Sequence, residues 1–466
     1  MAIRRPLNRL RAAAGRAPDL FPIATVAIAW LFGQVIVLSQ TPAYALFPDS
    51  LEYLASATRI LHGGGFFDPV RPPVYPALLA LLQAVAGGKS TAAVPFVQGG
   101  LMGLFGLVLY GLGKLLTGNR WLAAAVAAVT LTNLYLLDWE RAVLTETLSL
   151  TLVGAVLLVT ARFAASGRSR ELILIGVVAV LLVLTHVAEV AAVIAIVGGI
   201  VWMRPEARTV LAGGAIAAAL GLYVLGNGVT SGHYTLACTG QSNLYMKVLE
   251  YRLLDQADRE NFPSLYFYAR DYADNPIGPT GFFMTLHPEF NRQCSPDVIP
   301  FAGGVLLAHP VASIGGGFTD SVRELFLPPA AYTPLNMGSL LTVSGSVYGL
   351  YYLLPVALLW LAVRGRLASR RAPLLLGIVA AAVLVNLLAG GFGAVSEYAR
   401  QRAPLDPEAF LLVIVAGADA GLLALRQISL GSETAKAPEM AIGPTRDSTA
   451  ARPRSRRRRP ASARGT

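Results

Sequence analysis

Residues 21–39, FPIATVAIAWLFGQVIVLS, hold nineteen positions without a charge, and runs of this kind recur along the chain. About 20 apolar residues cross the hydrocarbon core of a bilayer as a helix. Further runs lie near 93–113, 121–137, 145–161, 171–186, 188–203, 209–226, 342–363, 373–390 and 409–426. Hydrocarbon offers no partner to an exposed backbone N–H, so such runs span as helices. A membrane barrel would need short alternating strands in place of continuous apolar runs. Charged residues make up 14% of the chain and hydrophobic residues 55%, whereas soluble domains carry about 25% charged residues. The expected fold is an all-α polytopic membrane protein with about ten transmembrane helices.

The formal charge of +11 raises the question of nucleic acid. Its distribution answers it. Residues 1–19 carry five Arg and one acid, and residues 433–466 carry nine Lys/Arg and three acids. Without both tails, 24 of the 38 basic and 23 of the 27 acidic residues remain, so the body is near neutral. Basic tails beside membrane spans are held in the cytoplasm near anionic lipid. No nucleic-acid partner is expected. The tail ending RPRSRRRRPASARGT is low in complexity and reads as disordered. Ala43-Tyr44-Ala45 resembles a signal cleavage site, yet the preceding run is long enough for a full span. It reads as an uncleaved signal anchor.

With the N-terminus inside, the short basic loops Lys114–Arg120, Arg162–Arg170, Arg204–Arg208 and Arg364–Arg371 are cytoplasmic. Segments 40–92, 138–144, 227–341 and 391–408 face outward, and both termini are cytoplasmic. The expected organisation has five parts: a basic N-terminus (1–19); a transmembrane module (20–226) whose first outer loop is 40–92; an extracytoplasmic subdomain (227–341); a second transmembrane module (342–428); and a basic tail (429–466). Residues 73–88 are apolar but short, and read as a re-entrant or interfacial helix. Residues 49–62 have helical apolar spacing, with Asp49 and Ser50 as the expected N-cap and Gly63–Gly65 as the stop. Residues 300–316 are apolar enough to lie on the membrane. Cys238 and Cys294 share the long outer loop, on the oxidising side, where a disulfide is expected.

Ionisable residues near a bilayer are costly and mark function. Here they gather at four outer turns. The first holds Asp49, Glu52, Asp68 and Arg71, the second Glu140, Arg141 and Glu146. His186 and Glu189 sit at the third, and Glu397, Arg400 and Arg402 at the fourth. Transporters more often place such groups at mid-span. A rim location suits a reaction between a lipid-borne substrate and one arriving from outside. Transfer of a sugar from a polyprenyl phosphate needs this set of groups. Arg binds the phosphate and stabilises the charge that grows as the sugar–phosphate bond breaks. A carboxylate takes the proton of the acceptor hydroxyl on the opposite face of the sugar carbon, which gives inversion. A transporter or flippase of lipid-linked saccharides is the alternative class.

The stretch FPDSLEYL, followed by Gly63–Gly65 and Pro72-Pro73-Val74-Tyr75-Pro76, resembles the first outer loop of the GT-C superfamily of membrane glycosyltransferases. Relatives there include protein O-mannosyltransferases and aminoarabinose transferases. LTETLSL, with Glu146, and ARQRAPLDP, with Arg400, Arg402, Pro404 and Pro407, resemble two further elements of that superfamily. The resemblance implies that Asp49 is the catalytic base or the acid that positions the acceptor, and that Arg400 or Arg402 binds the donor phosphate. Glu52 shares a helix face with Asp49 and joins it as a catalytic candidate, and Arg71 joins the phosphate-binding set. Tyr53, Tyr75, Glu140, Glu146 and His186 are candidate substrate contacts. No cofactor is expected beyond the lipid-linked donor, and no metal-ligand set stands out. The expected setting is a bacterial plasma membrane, with the site extracytoplasmic and an envelope glycan, lipid or protein as acceptor.

Overall fold

The computed structural model describes residues 18–254, 257–274, 294–295, 297–326, 353–365, 372–393 and 403–435. The helices run α1 (Leu20–Leu38), α2 (Pro48–Leu61), α3 (Val74–Ala86), α4 (Ser90–Thr117), α5 (Arg120–Leu131), α6 (Leu134–Arg141) and α7 (Glu146–Ser166). They continue with α8 (Ser169–Val183), α9 (Val190–Met203), α10 (Ala207–Ser231), α11 (Thr239–Glu250), α12 (Ala257–Asn261) and α13 (Pro263–Asp274). The rest are α14 (Val298–Ala308), α15 (Pro310–Phe326), α16 (Leu354–Gly365), α17 (Ala372–Gly393) and α18 (Asp406–Ala435). Among the described residues there is no strand, only a single parallel bridge between Ala45 and Ala142. The protein is an all-α polytopic membrane protein. Among the described residues, six helical segments are long and apolar enough to cross a bilayer, or up to eight if each bent pair counts as one span. By this measure the spans are fewer than the ten runs. α8 has only 15 residues and α9 only 14, and half of the run 342–363 lies outside the described residues.

Local chemistry sets the breaks. Gly118 closes α4 at φ 67°, a left-handed conformation that favours glycine. One residue on, the Asn119 side chain accepts from the Trp121 and Leu122 N–H groups and starts α5. The apolar run 121–137 is not one helix. It bends by 55° between α5 and α6, where the Asn133 side chain accepts from Tyr135 N–H at 3.0 Å and begins a new helix. The start of α2 also departs from expectation. Its N-cap is Phe47, and Ser50 Oγ receives the Phe47 N–H at 2.9 Å. Asp49 therefore sits inside the first turn with its carboxylate directed elsewhere.

α4 is the hub of the N-terminal module. Met102, Phe105, Leu109 and Leu112 are buried among α1, α5 and α7. Small residues bring these helices close, as expected where packing and not water drives association. A Cβ added at Gly154 of α7 would stand 2.9 Å from the Phe105 ring, and one at Gly106 would stand 2.5 Å from Leu131. A second, smaller core lies in the long segment after α10, where Tyr245, Leu249, Phe301 and Val305 pack between α11 and α14. The chain divides after Ala418 into two units, the second holding the end of α18.

Gly154→Leu is expected to cost about 1–3 kcal/mol by overpacking. Gly221→Leu, whose added Cβ meets nothing within 4 Å, is expected to be close to neutral. Thermal stability of the two detergent-solubilised variants, read by fluorescence-detected size exclusion, compares them directly.

Candidate active site

The first loop folds around two charged residues. Asp68 is buried and fully engaged. Its Oδ2 accepts from Ser56 Oγ at 2.6 Å and from Arg59 Nη2 at 2.7 Å. Its Oδ1 accepts from the Val70 and Arg71 N–H groups at 2.9 and 3.3 Å. This is an Asx-type turn, in which a short carboxylate replaces backbone partners. The turn is also held from outside. Tyr223 of α10 donates to Asp68 O at 2.9 Å, and Cys238 N–H donates to Pro69 O at 2.7 Å. Cys238 is bonded to Cys294, with Cα atoms 5.3 Å apart.

The turn delivers Arg71 to α2. Arg71 Nη2 donates to Asp49 Oδ1 at 2.6 Å, and Nε donates to Glu52 Oε2 at 2.8 Å. The guanidinium also lies 4.6 Å from the Tyr53 ring centroid and reaches the Tyr53 hydroxyl at 3.3 Å. Burial pulls the Arg71 proton affinity down, but the Tyr53 phenol and the Asp49 and Glu52 carboxylates push it up further. The group is therefore charged at every working pH. Asp49 and Glu52 keep 29% and 26% of their side-chain surface open, while Arg71 keeps 11%. The acids are the more open to solvent, and the guanidinium lies behind them. Arg71, a candidate for the donor phosphate, is paired here with two carboxylates.

Further charged turns meet this loop. Tyr53 packs edge-on to the buried Tyr75 at 5.2 Å between centroids. Glu146 lines a small hollow with Leu136, Trp139, Thr147, Leu150 and Ala403. The first loop and the second turn are joined by backbone hydrogen bonds, Ala45 N–H to Arg141 O at 2.9 Å and Val143 N–H to Ala45 O at 3.0 Å. The third turn is joined through Val74 N–H, which donates to Leu184 O at 3.2 Å. His186 stands 3.5 Å from Glu189, and Asp406 and Glu408 are buried at the start of α18. Arg400 and Arg402 lie outside the described residues. The turn after them, Ala403–Leu405, packs on α7.

Glu140 stands apart from the Asp49–Arg71 group. It is fully buried, and Gln34 of α1 donates to its Oε1 at 2.7 Å. Gly99 makes room for Gln34, since a Cβ there would come within 2.0 Å of the Gln34 amide oxygen. Gln98 donates to the backbone oxygens of Glu140 and Ala142 at 2.8 and 2.6 Å, closing the end of α6. Among the described residues no group of three or more His, Cys, Asp or Glu could hold a metal ion. Sequence reasoning names Asp68 but gives it no role, and it passes over Gln34, Asp406 and Glu408. The DPVR spacing is the available signal for Asp68, since an Asp two residues before the chain turns back is a familiar turn former.

Residues 70–226 match the family model described as dolichyl-phosphate-mannose-protein mannosyltransferase. The match supports the GT-C resemblance and a glycosyltransferase activity, over about a third of the chain. It takes in Arg71, Tyr75, Glu140, Glu146 and His186, and leaves out Asp49, Glu52 and Tyr53. No curated protein matches the chain.

Asp68→Ala removes acceptors from two backbone N–H groups and two side chains. The turn is expected to lose about 1–3 kcal/mol of local stability. Hydrogen exchange at the Val70 and Arg71 amides should quicken while the α4 core stays protected.

Proposed function

We propose that the chain is an inverting glycosyltransferase that moves a sugar from a polyprenyl phosphate to an envelope acceptor at the outer face of a bacterial plasma membrane. The observation that carries this reading is the Asp49–Arg71–Glu52 group, partly open to solvent, in a loop where charged turns converge. The family match supports it, because a dolichyl phosphate sugar is a polyprenyl-type donor.

Asp49 is the base in this proposal. Arg71 fixes the direction of its carboxylate, and Glu52 balances the second side of the guanidinium. The acceptor hydroxyl gives its proton to Asp49 as its oxygen bonds to the sugar carbon from the face opposite the phosphate. The bond from sugar carbon to phosphate oxygen breaks, and the electron pair leaves with the lipid phosphate. Arg400 and Arg402 are the proposed phosphate partners, because Arg71 is already neutralised by two acids. Tyr53, Tyr75, Glu146 and His186 are the proposed sugar and acceptor contacts. The Cys238–Cys294 bridge supports the loop from its outer side.

The test compares wild type with Asp49→Asn in membranes given radiolabelled polyprenyl-phosphate sugars and native envelope acceptor. The variant is expected to lose transfer by about 100-fold or more at equal expression. Equal activity would remove Asp49 from the chemistry. Movement of a lipid-linked saccharide across the membrane, with no new glycosidic bond from either protein, would favour a transporter.

A further inference from the structure

α15 is built inside out for a helix in water. Its one acid with a described side chain, Asp320, is 4% exposed, yet Val311, Ile314, Phe318 and Val322 are exposed by 86, 62, 60 and 41%. Leu307, at the end of α14, extends the row at 81%. The spacing 311, 314, 318, 322 within α15 is that of a single helical stripe. Asp320 is turned inward and satisfied. Lys247 Nζ and the Tyr251 hydroxyl each donate to Asp320 Oδ2 at 2.6 Å, and Lys247 also pairs with Glu250 at 3.1 Å.

The surface beside this stripe is already apolar and belongs to a membrane span. α15 packs along α17, whose Leu375–Gly393 stretch is one of the candidate spans. The approach is close. A Cβ at Gly391 would fall 2.0 Å from Ser321 Oγ, and one at Gly317 would fall 2.4 Å from the Phe392 ring. Leu384, Leu388 and Phe392 of α17 form an exposed row of their own, continuous with the α15 stripe through the Gly317–Phe392 contact. Exposed apolar surface of this extent and continuity needs an apolar medium.

We propose that the knee formed by α14 and α15 is a re-entrant element seated in the outer leaflet, with the acyl chains of bilayer lipid covering the stripe. The two helices bend by 99° at His309–Pro310. At 1.5 Å per residue, 11 and 17 residues reach only about 16 and 25 Å, each short of the ~30 Å core. A full crossing here would also invert the side of the Arg-rich segment Arg364–Arg371, against the charge rule. A return to the same face keeps it cytoplasmic. α14 meanwhile buries Phe301 and Val305 against α11 and α13. The knee therefore anchors the segment carrying Cys238 to the membrane, whichever reaction the protein performs.

The test places single cysteines at Leu307, Val311, Ile314 and Phe318, with Ser264→Cys as an exposed control in α13. The protein is reconstituted in lipid nanodiscs and treated with a membrane-impermeant maleimide. Wild type sets the background, and labelling in SDS confirms each thiol. Stripe thiols are expected to react at about a tenth of the control's rate or slower. Reaction at the control's rate would overturn the proposal. A bimane attached at Val311→Cys, in monodisperse protein, should be quenched by brominated lipid. Protection of the thiols without that quenching would mean that a protein surface covers the stripe, and would also overturn it.

Discussion

A guanidinium at the edge of a bilayer is stable only when charge and hydrogen bonds surround it. The arrangement of the first loop follows from meeting that need at Arg71. One acid would neutralise it, and two from successive positions on one helix face, Asp49 and Glu52, also fix its orientation. The Arg then ties α2 to the segment leading into α3, and those two helices pack closely together. Its position depends in turn on Asp68, which turns the backbone so that the Arg71 side chain meets α2 from behind. Because Tyr223 and Cys238 grip the adjacent peptide units, α10 and the disulfide-bearing segment bear on the same few atoms. Residues more than 150 positions apart thus share one constraint.

How much of this is legible in the sequence depends on the kind of signal. α1 at Leu20–Leu38 lies within a residue of the apolar run 21–39, because in hydrocarbon the length of an apolar run is itself the constraint. The bend between α5 and α6 is hidden. Thr132 and Asn133 interrupt an apolar run only briefly, and whether Asn133 caps a new helix depends on α1 and α4 packing around it. A carboxylate at a helix start is ordinarily satisfied by local N–H groups, so Asp49 reads as a cap. Its partner lies 22 residues away at Arg71, and no local pattern shows that. α15 is partly legible. Residues 300–316 read as membrane-associated, but the burial of Asp320 depends on Lys247, and α11 and α15 are far apart in sequence.

The charge balance around Asp49 narrows how a lipid-linked donor can approach under the proposed reaction. Two carboxylates and one guanidinium leave a net negative charge at the mouth of the loop. A phosphate placed there would face repulsion at close range in a medium that screens poorly. The same excess is what a base needs if it is to draw a proton from an incoming hydroxyl. Acceptor and phosphate are therefore best held on opposite sides of the sugar, with the acids on one side and separate cations on the other. That separation is the geometry of an inverting displacement. In that reaction Arg71, which lies behind the acids, would orient the base and leave the phosphate to other residues. Its value to the reaction is that it is already paired before any substrate binds.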